Sequence, residues 1–214
     1  MSMLTTLASA ALTASLTVSP QDGGSVRHPV GHEVRVQIDA AASITGFEIW
    51  WGRGFAFHRK GVPTCSVAVL RRSGPDGCPA KSIIGSSPGG RVDEDTVEPR
   101  PKFVMVNGPG GRLTAYVTVQ RPARVRASVV PSVFDNPRSI WPHRDAWEIP
   151  EVLRKVAGVT IPMNHLKLTF GGKSWAKDYI VTTGCPKGGL PWRIRVRTDG
   201  GGVLGRDGRA PCRR

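Results

Sequence analysis

Apolar and polar residues alternate in short runs along most of the chain, and glycine or proline separates one run from the next. Residues 32–39 show it most cleanly. Val34, Val36 and Ile38 fall on one side and Glu33, Arg35, Gln37 and Asp39 on the other, the period of two expected of a half-buried strand. Residues 13–19 alternate likewise until Pro20-Gln-Asp-Gly-Gly24. Over 45–51, Phe47, Ile49 and Trp51 share a face and Trp50 takes the opposite one, so one of the two adjacent tryptophans must turn away from the core. Residues 102–107 and 112–120 predict a hairpin, because the Gly108-Pro109-Gly110-Gly111 connector supplies positive φ angles. Strands are also expected at 65–70, 123–130, 165–171, 178–183 and 191–198, the last ending at the turn Thr198-Asp199-Gly200-Gly201-Gly202. Residues 131–164 look irregular apart from a short helix near 150–157. Pro150 would open it, Glu151 and Lys155 would pair four apart, and Gly158 would stop it. About ten short strands at this spacing predict an all-β chain built as a β-sandwich.

Composition narrows the picture without changing it. The 214 residues suffice for one sandwich over 15–214, or for two sub-domains meeting near 88–101. With 39% hydrophobic and 21% charged residues the chain is neither a disordered nor a membrane composition. No apolar run approaches the roughly 20 residues of a bilayer-spanning helix. Residues 1–14 read as the remnant of a signal peptide, with small residues at Ala8-Ser9-Ala10 and Leu12-Thr13-Ala14 that fit a cleavage site but with no basic start. The alternative is that residues 4–18 form a first strand. Export is the expectation, mainly because of the cysteines.

Cys65, Cys78, Cys185 and Cys212 contain no C-x-x-C, and none has a histidine at metal-ligand spacing, so zinc is not expected. Four cysteines allow three pairings. The sequence-local one, Cys65 with Cys78 and Cys185 with Cys212, is favoured because each pair brackets a Gly/Pro-rich segment; four separate buried thiols are the alternative.

The cysteine neighbourhoods also carry a resemblance. Gly61-Val-Pro-Thr-Cys65-Ser66, Gly77-Cys78-Pro79-Ala-Lys-Ser82-Ile-Ile-Gly85, Phe103-Val-Met-Val-Asn107-Gly108 and Tyr179-Ile-Val-Thr-Thr-Gly-Cys185-Pro186, followed by Trp192, Asp199-Gly200 and Pro211-Cys212, span roughly residues 44 to 212. They resemble uncharacterised secreted proteins of high-GC Gram-positive, actinobacterial type. The resemblance implies a secreted β-sandwich with two disulfides and implies no activity. The chain departs from that pattern at Trp192-Arg-Ile-Arg-Val-Arg197 and over 140–154, where a specific function would sit.

Charge points to acidic partners. The formal charge is +14 and the pI about 10.6, which favours nucleic acid, anionic envelope polymers or acidic glycans. Arginine outnumbers lysine 22 to 8 and is scattered, as a GC-rich coding sequence alone would produce. Arg193, Arg195 and Arg197 share one face of a strand while Trp192, Ile194 and Val196 share the other. Their stems stand about 6.6 Å apart, a ladder able to meet a polyanion or to pair with acids on adjacent strands. Trp50, Trp141 and Trp147 are candidates for a sugar-stacking platform, or else for covers over an edge of the sandwich.

Catalytic signals are weak. Gly85-Ser86-Ser87-Pro88-Gly89 matches G-x-S-x-G by letter, but proline after the serine has no N–H for an oxyanion hole and no helix follows. His28 and His32 cannot share a helical face across Pro29 and Gly31. His143 and Asp145 could orient an imidazole but lack an identifiable nucleophile. Asp93, Glu94, Asp95 and Glu98 could gather around Ca²⁺ or form a solvated acidic turn. No cofactor is implied. The expectation is therefore a non-enzymatic exported protein that binds an acidic or glycan polymer, or another envelope protein. A secreted hydrolase around His143 and Asp145 is the second reading. Nucleic-acid binding is a third, disfavoured by the lack of any recognisable module.

Overall fold

The computed structural model describes residues 12–87, 101–120, 123–156, 158–171 and 176–213. In chain order the strands are β1 (Leu12–Ser19), β2 (Val30–Gly31), β3 (Glu33–Ala40), β4 (Ile44–Trp51) and β5 (Phe55–Phe57). After helix α1 (Val67–Ser73) come β6 (Ile83–Ser87), β7 (Lys102–Asn107), β8 (Leu113–Val119), β9 (Val125–Val129), β10 (Ser132–Asp135) and β11 (His143–Glu148). Helix α2 (Glu151–Arg154) precedes β12 (Lys155–Val156), β13 (Val159–Thr160), β14 (His165–Phe170), β15 (Ile180–Thr182), β16 (Leu190–Thr198) and β17 (Val203–Ala210).

Two antiparallel sheets form the sandwich. One has seven strands in the order β1-β3-β14-β6-β7-β8-β9, the other five in the order β10-β11-β4-β16-β17. The small β2-β15-β5 sheet stands beside them. The period-two strands behave as their patterns require. Val34, Val36 and Ile38 of β3 are buried against Phe47, Ile49 and Trp51 of β4, with Ile194 and Val196 of β16 and Leu168 and Phe170 of β14 in the same core. The all-β sandwich is thus the observed fold. The predicted hairpin is β7 and β8, closed from Asn107 to Leu113 with Gly110 and Gly111 both at positive φ. Since β6 pairs with β7, the chain on either side of 88–101 belongs to one sheet. Residues 12–14 open β1, opposite Ala40, Asp39 and Ile38.

Three local expectations are corrected. Residues 65–70 are not a strand: Ser66 accepts a hydrogen bond from the Val69 N–H and starts α1, which ends at Gly74 with φ 67°. That cap outweighs the β-branched residues Val67 and Val69 that suggested extension. The helix near 150–157 is a single turn. Pro150 precedes its first residue, Glu151 and Lys155 do pair at 3.1 Å, and the chain then turns into the β12–β13 hairpin. The stretch 131–164 is not irregular, because it holds β10 and β11. Gly85, Ser86 and Ser87 lie within strand β6, where no nucleophile elbow exists.

Both local disulfides are present, with Cα–Cα distances of 5.4 Å for Cys65–Cys78 and 5.7 Å for Cys185–Cys212. The first brackets α1 and holds it over the outer side of the seven-stranded sheet, where Cys65, Leu70, Val106 and Tyr116 make a second, small core. The second ties the loop after β15 to the end of β17. There the Arg213 N–H donates to Gln21 O and the Gly23 N–H to Arg213 O, both at 2.7 Å. Gly23 passes so close that a Cβ on it would lie 2.4 Å from Cys185 Sγ. Among the described residues no helix is long and apolar enough to cross a membrane.

Candidate functional site

The register of the five-stranded sheet brings one row of side chains together on its outer face: Phe134, Arg144, Trp50, Arg193 and Asp207, one from each strand. Neighbouring strands stand roughly 4.8 Å apart, so flat groups in such a row stack. The Arg144 guanidinium carbon lies 3.8 Å from the Phe134 ring centroid and 4.7 Å from that of Trp50. Arg195 approaches Trp50 from the other neighbouring strand at 5.9 Å, and Arg193 lies 5.0 Å over Trp141. Each contact is a cation–π pair of the kind worth about 0.5–2 kcal/mol. Phe134 remains half exposed.

Most of the arginines on this face already hold a carboxylate. Arg193 grips Asp207 with two hydrogen bonds, Nε to Oδ1 at 2.7 Å and Nη2 to Oδ2 at 2.6 Å. That bond, more than the small burial opposing it, holds the Asp207 carboxyl below its usual range and raises Arg193. Arg197 pairs with Glu148 across β4 directly over Gly46, where a Cβ would lie 2.6 Å from Arg197 Nη2. Glu48 accepts from Trp50 Nε1 at 2.9 Å and lies 3.9 Å from Arg144. Arg209, further along β17, donates to the carbonyls of Lys187 and Gly189. Arg195 is exposed and makes no ion pair among the described residues. Five arginines, Arg209 included, face three carboxylates on this surface, so the face carries a surplus of about two charges and most of the chain's +14 lies elsewhere.

The structure therefore unites Arg193, Arg195, Arg197, Trp50 and Trp141 on one surface. It separates Trp147 and His143 from them. Both point inward from β11: Trp147 stacks on Phe47 in the core, ring centroids 5.8 Å apart, and is 2% exposed. His143 is buried at one end of the sandwich. Its Nε2 is 3.2 Å from Asp145 Oδ1, its Nδ1 meets Asp135 Oδ1, Arg59 Nη2 lies 2.9 Å from both ring nitrogens, and Phe57 covers it at 4.0 Å. Arg59 Nη1 also bonds Asp135 Oδ2 at 2.9 Å, and Asp145 Oδ2 accepts from Trp51 Nε1 at 2.8 Å. Burial would raise the Asp135 carboxyl, but the bonds from Arg59 and His143 outweigh it and hold it below its usual range. Burial first, then Asp145, push the Tyr179 phenol far above its ordinary value. Neither imidazole nitrogen is open to a substrate, and no hydroxyl or thiol bonds to it among the described residues. The cluster works as a buried ionic plug. No group of three or more His, Cys, Asp or Glu among the described residues is arranged to hold a metal, and residues 93–98 lie outside them.

A second buried histidine makes stability depend on pH. His32 is fully buried, its Nδ1–H donating to Pro20 O and its Nε2 accepting from the Thr182 hydroxyl, both at 2.8 Å. The same hydroxyl accepts from the Gly24 N–H at 3.1 Å, and the Pro20 carbonyl, which can only accept, places a proton on Nδ1. Burial lowers the His32 pKa below 6.5, with the Pro20 bond opposing. The unfolded chain therefore takes up a proton that the folded chain refuses, and stability present above pH 6.5 is lost as pH falls through the folded value. Asp39, Asp135 and Asp207, all lowered, add a second loss below about pH 3.8. Urea midpoints measured from pH 8 to 3 should stay level to about 7 and then decline in two stages. A midpoint unchanged between pH 7.5 and 5 would remove the role given to His32.

Fold and face together define an all-β sandwich with an arginine–aromatic surface on its five-stranded sheet. No protein-family model, curated protein or solved structure matches the chain. Phe134, Arg144, Glu48, Glu148 and Asp207 were not singled out in the sequence. The available signal was parity: had residues 143–148 been recognised as a strand, Arg144 and Glu148 would have been placed opposite His143, Asp145 and Trp147.

Proposed function

We propose that this protein is a non-enzymatic, extracytoplasmic binding module that holds an acidic or glycan polymer of the cell envelope on the outer face of its five-stranded sheet. One observation carries this: arginines and aromatics of the five-stranded sheet, with Phe134 half exposed, converge on a single surface, while His143 and Asp145 are buried. Trp and Arg set in a rigid sheet are the side chains that most often dominate recognition surfaces. The place outside the cytoplasm is supported by the two disulfides, which persist in oxidising compartments, and by the resemblance to secreted actinobacterial proteins. The test is retention of the intact protein on purified cell wall and on anionic polysaccharide at low salt. Trp141→Ala, which removes a ring stacked by Arg193 without opening the core, is expected to weaken retention about 30-fold. No retention on either material removes the polymer role.

A further inference from the structure

Resting on that binding role, we propose that Arg195 is the anion seat of the face and that the polymer it takes is a glycan carrying isolated carboxylates, a uronic-acid polysaccharide. Arg193, Arg197 and Arg144 have Asp207, Glu148 and Glu48 as neighbours at ion-pair distance. Arg195, exposed between Arg193 and Arg197 on one strand, has none at that distance, although Glu48 is its register partner on β4 and Asp207 lies within reach of its charge. The position opposite it on β17 is Gly205, whereas Arg193 faces Asp207 there. A Cβ on Gly205 would sit 3.9 Å from Arg195 Cγ, in ordinary contact, so the glycine is not required by packing and leaves the guanidinium open on that flank. The space beside it is where a ligand carboxylate completes the pattern that Asp207 completes for Arg193.

Charge complementarity selects the ligand. A dense polyanion such as polyphosphate or nucleic acid gains affinity from each phosphate neutralised. This face offers it two arginines without an ion pair, Arg195 and Arg209, and three carboxylates that repel it. A polysaccharide with a carboxylate on every second sugar presents one anion to Arg195 and lays uncharged rings along the row of half-buried Trp50 and half-exposed Phe134. Guanidinium–carboxylate geometry is bidentate and planar, and Trp50, 5.9 Å away, holds the group in place.

The experiment titrates the intact protein with hyaluronan oligosaccharides, their carboxyl-reduced counterparts and inorganic polyphosphate at several salt concentrations. Hyaluronan is expected to bind with a salt slope no steeper than about one, because one charge is neutralised. Carboxyl reduction, Arg195→Gln and Gly205→Glu should each weaken binding about tenfold or more, the loss of one charge-assisted hydrogen-bonded pair. Gly205→Glu tests the seat most directly, since it places a carboxylate opposite Arg195 at a position with room for it; an unchanged thermal transition shows that the fold is intact. If hyaluronan binds but is indifferent to Gly205→Glu and to carboxyl reduction, the anion seat is overturned while the binding face stands. Tighter binding of polyphosphate with a slope of several also overturns it. If none of the three polymers binds and cell wall is not retained either, the binding role itself falls.

Discussion

His143→Ala is expected to lower the free energy of unfolding by about 3–5 kcal/mol, as removal of one partner from a buried ionic group does. Asp145 is 2% exposed and bonds only to His143 Nε2 and Trp51 Nε1 among the described residues. Without the imidazole it is a buried carboxylate with one neutral donor. The ring also fills space against Phe57 at 4.0 Å, so its loss leaves a void as well. Asp135 is half exposed and keeps Arg59, so Asp135→Asn is expected to cost far less. Asp145→Asn lies between, because an amide oxygen can still accept from Trp51. Denaturant unfolding followed by tryptophan fluorescence, to which Trp51 contributes, checks the order. A His143→Ala protein as stable as the parent would mean that the imidazole is not a structural partner, and would return it to consideration as a catalytic base.

That cluster also explains which parts of the fold the residue pattern revealed. β3 and β4 were legible because their inward positions are all apolar: Val34, Val36 and Ile38 in one, Phe47, Ile49 and Trp51 in the other. β11 was not, because two of its three inward positions are His143 and Asp145. Their burial is made tolerable by Asp135, Arg59 and Trp51, partners distant in sequence that no local period can register. β17 was hidden by glycine. Gly208 lies opposite Trp192, and a Cβ on it would be 2.2 Å from the indole ring, so the glycine serves packing where it reads as a turn. The outer face was legible only in part. Alternation alone placed Arg193, Arg195 and Arg197 together and set Trp50 against Trp51. That two of these arginines are neutralised depends on β17 beside β16 and on β11 one strand beyond β4, and hence on tertiary register. Trp147 was misplaced for the same reason as β11: without the strand, its parity could not be read.

Reducing both disulfides is expected to remove about 6–7 kcal/mol of stability. The chain-entropy model assigns about 3 kcal/mol to a loop of the size closed by Cys65–Cys78 and about 3.6 to that closed by Cys185–Cys212, from their sequence separations of 13 and 27. The loops do not overlap and their surroundings are separate, so the two contributions should add. Against a typical net stability of about 5–15 kcal/mol, that sum decides whether the sandwich persists. The local consequences differ. Replacing Cys65 and Cys78 by alanine frees α1, whose Leu70 covers Val106 and Tyr116 beside the partly buried Val104 and Ile83, so exchange protection should fall there first. Replacing Cys185 and Cys212 acts mainly through the unfolded chain, because the β16–β17 pairing from Leu190 opposite Ala210 already holds the loop's ends together in the folded one. Thermal unfolding with and without a phosphine reductant should therefore differ by about 15–25 °C for a domain of this size. Each double alanine variant should account for roughly half. A difference under about 5 °C would show that strand pairing alone carries the fold, and would take away the physical reason for placing this protein in an oxidising compartment.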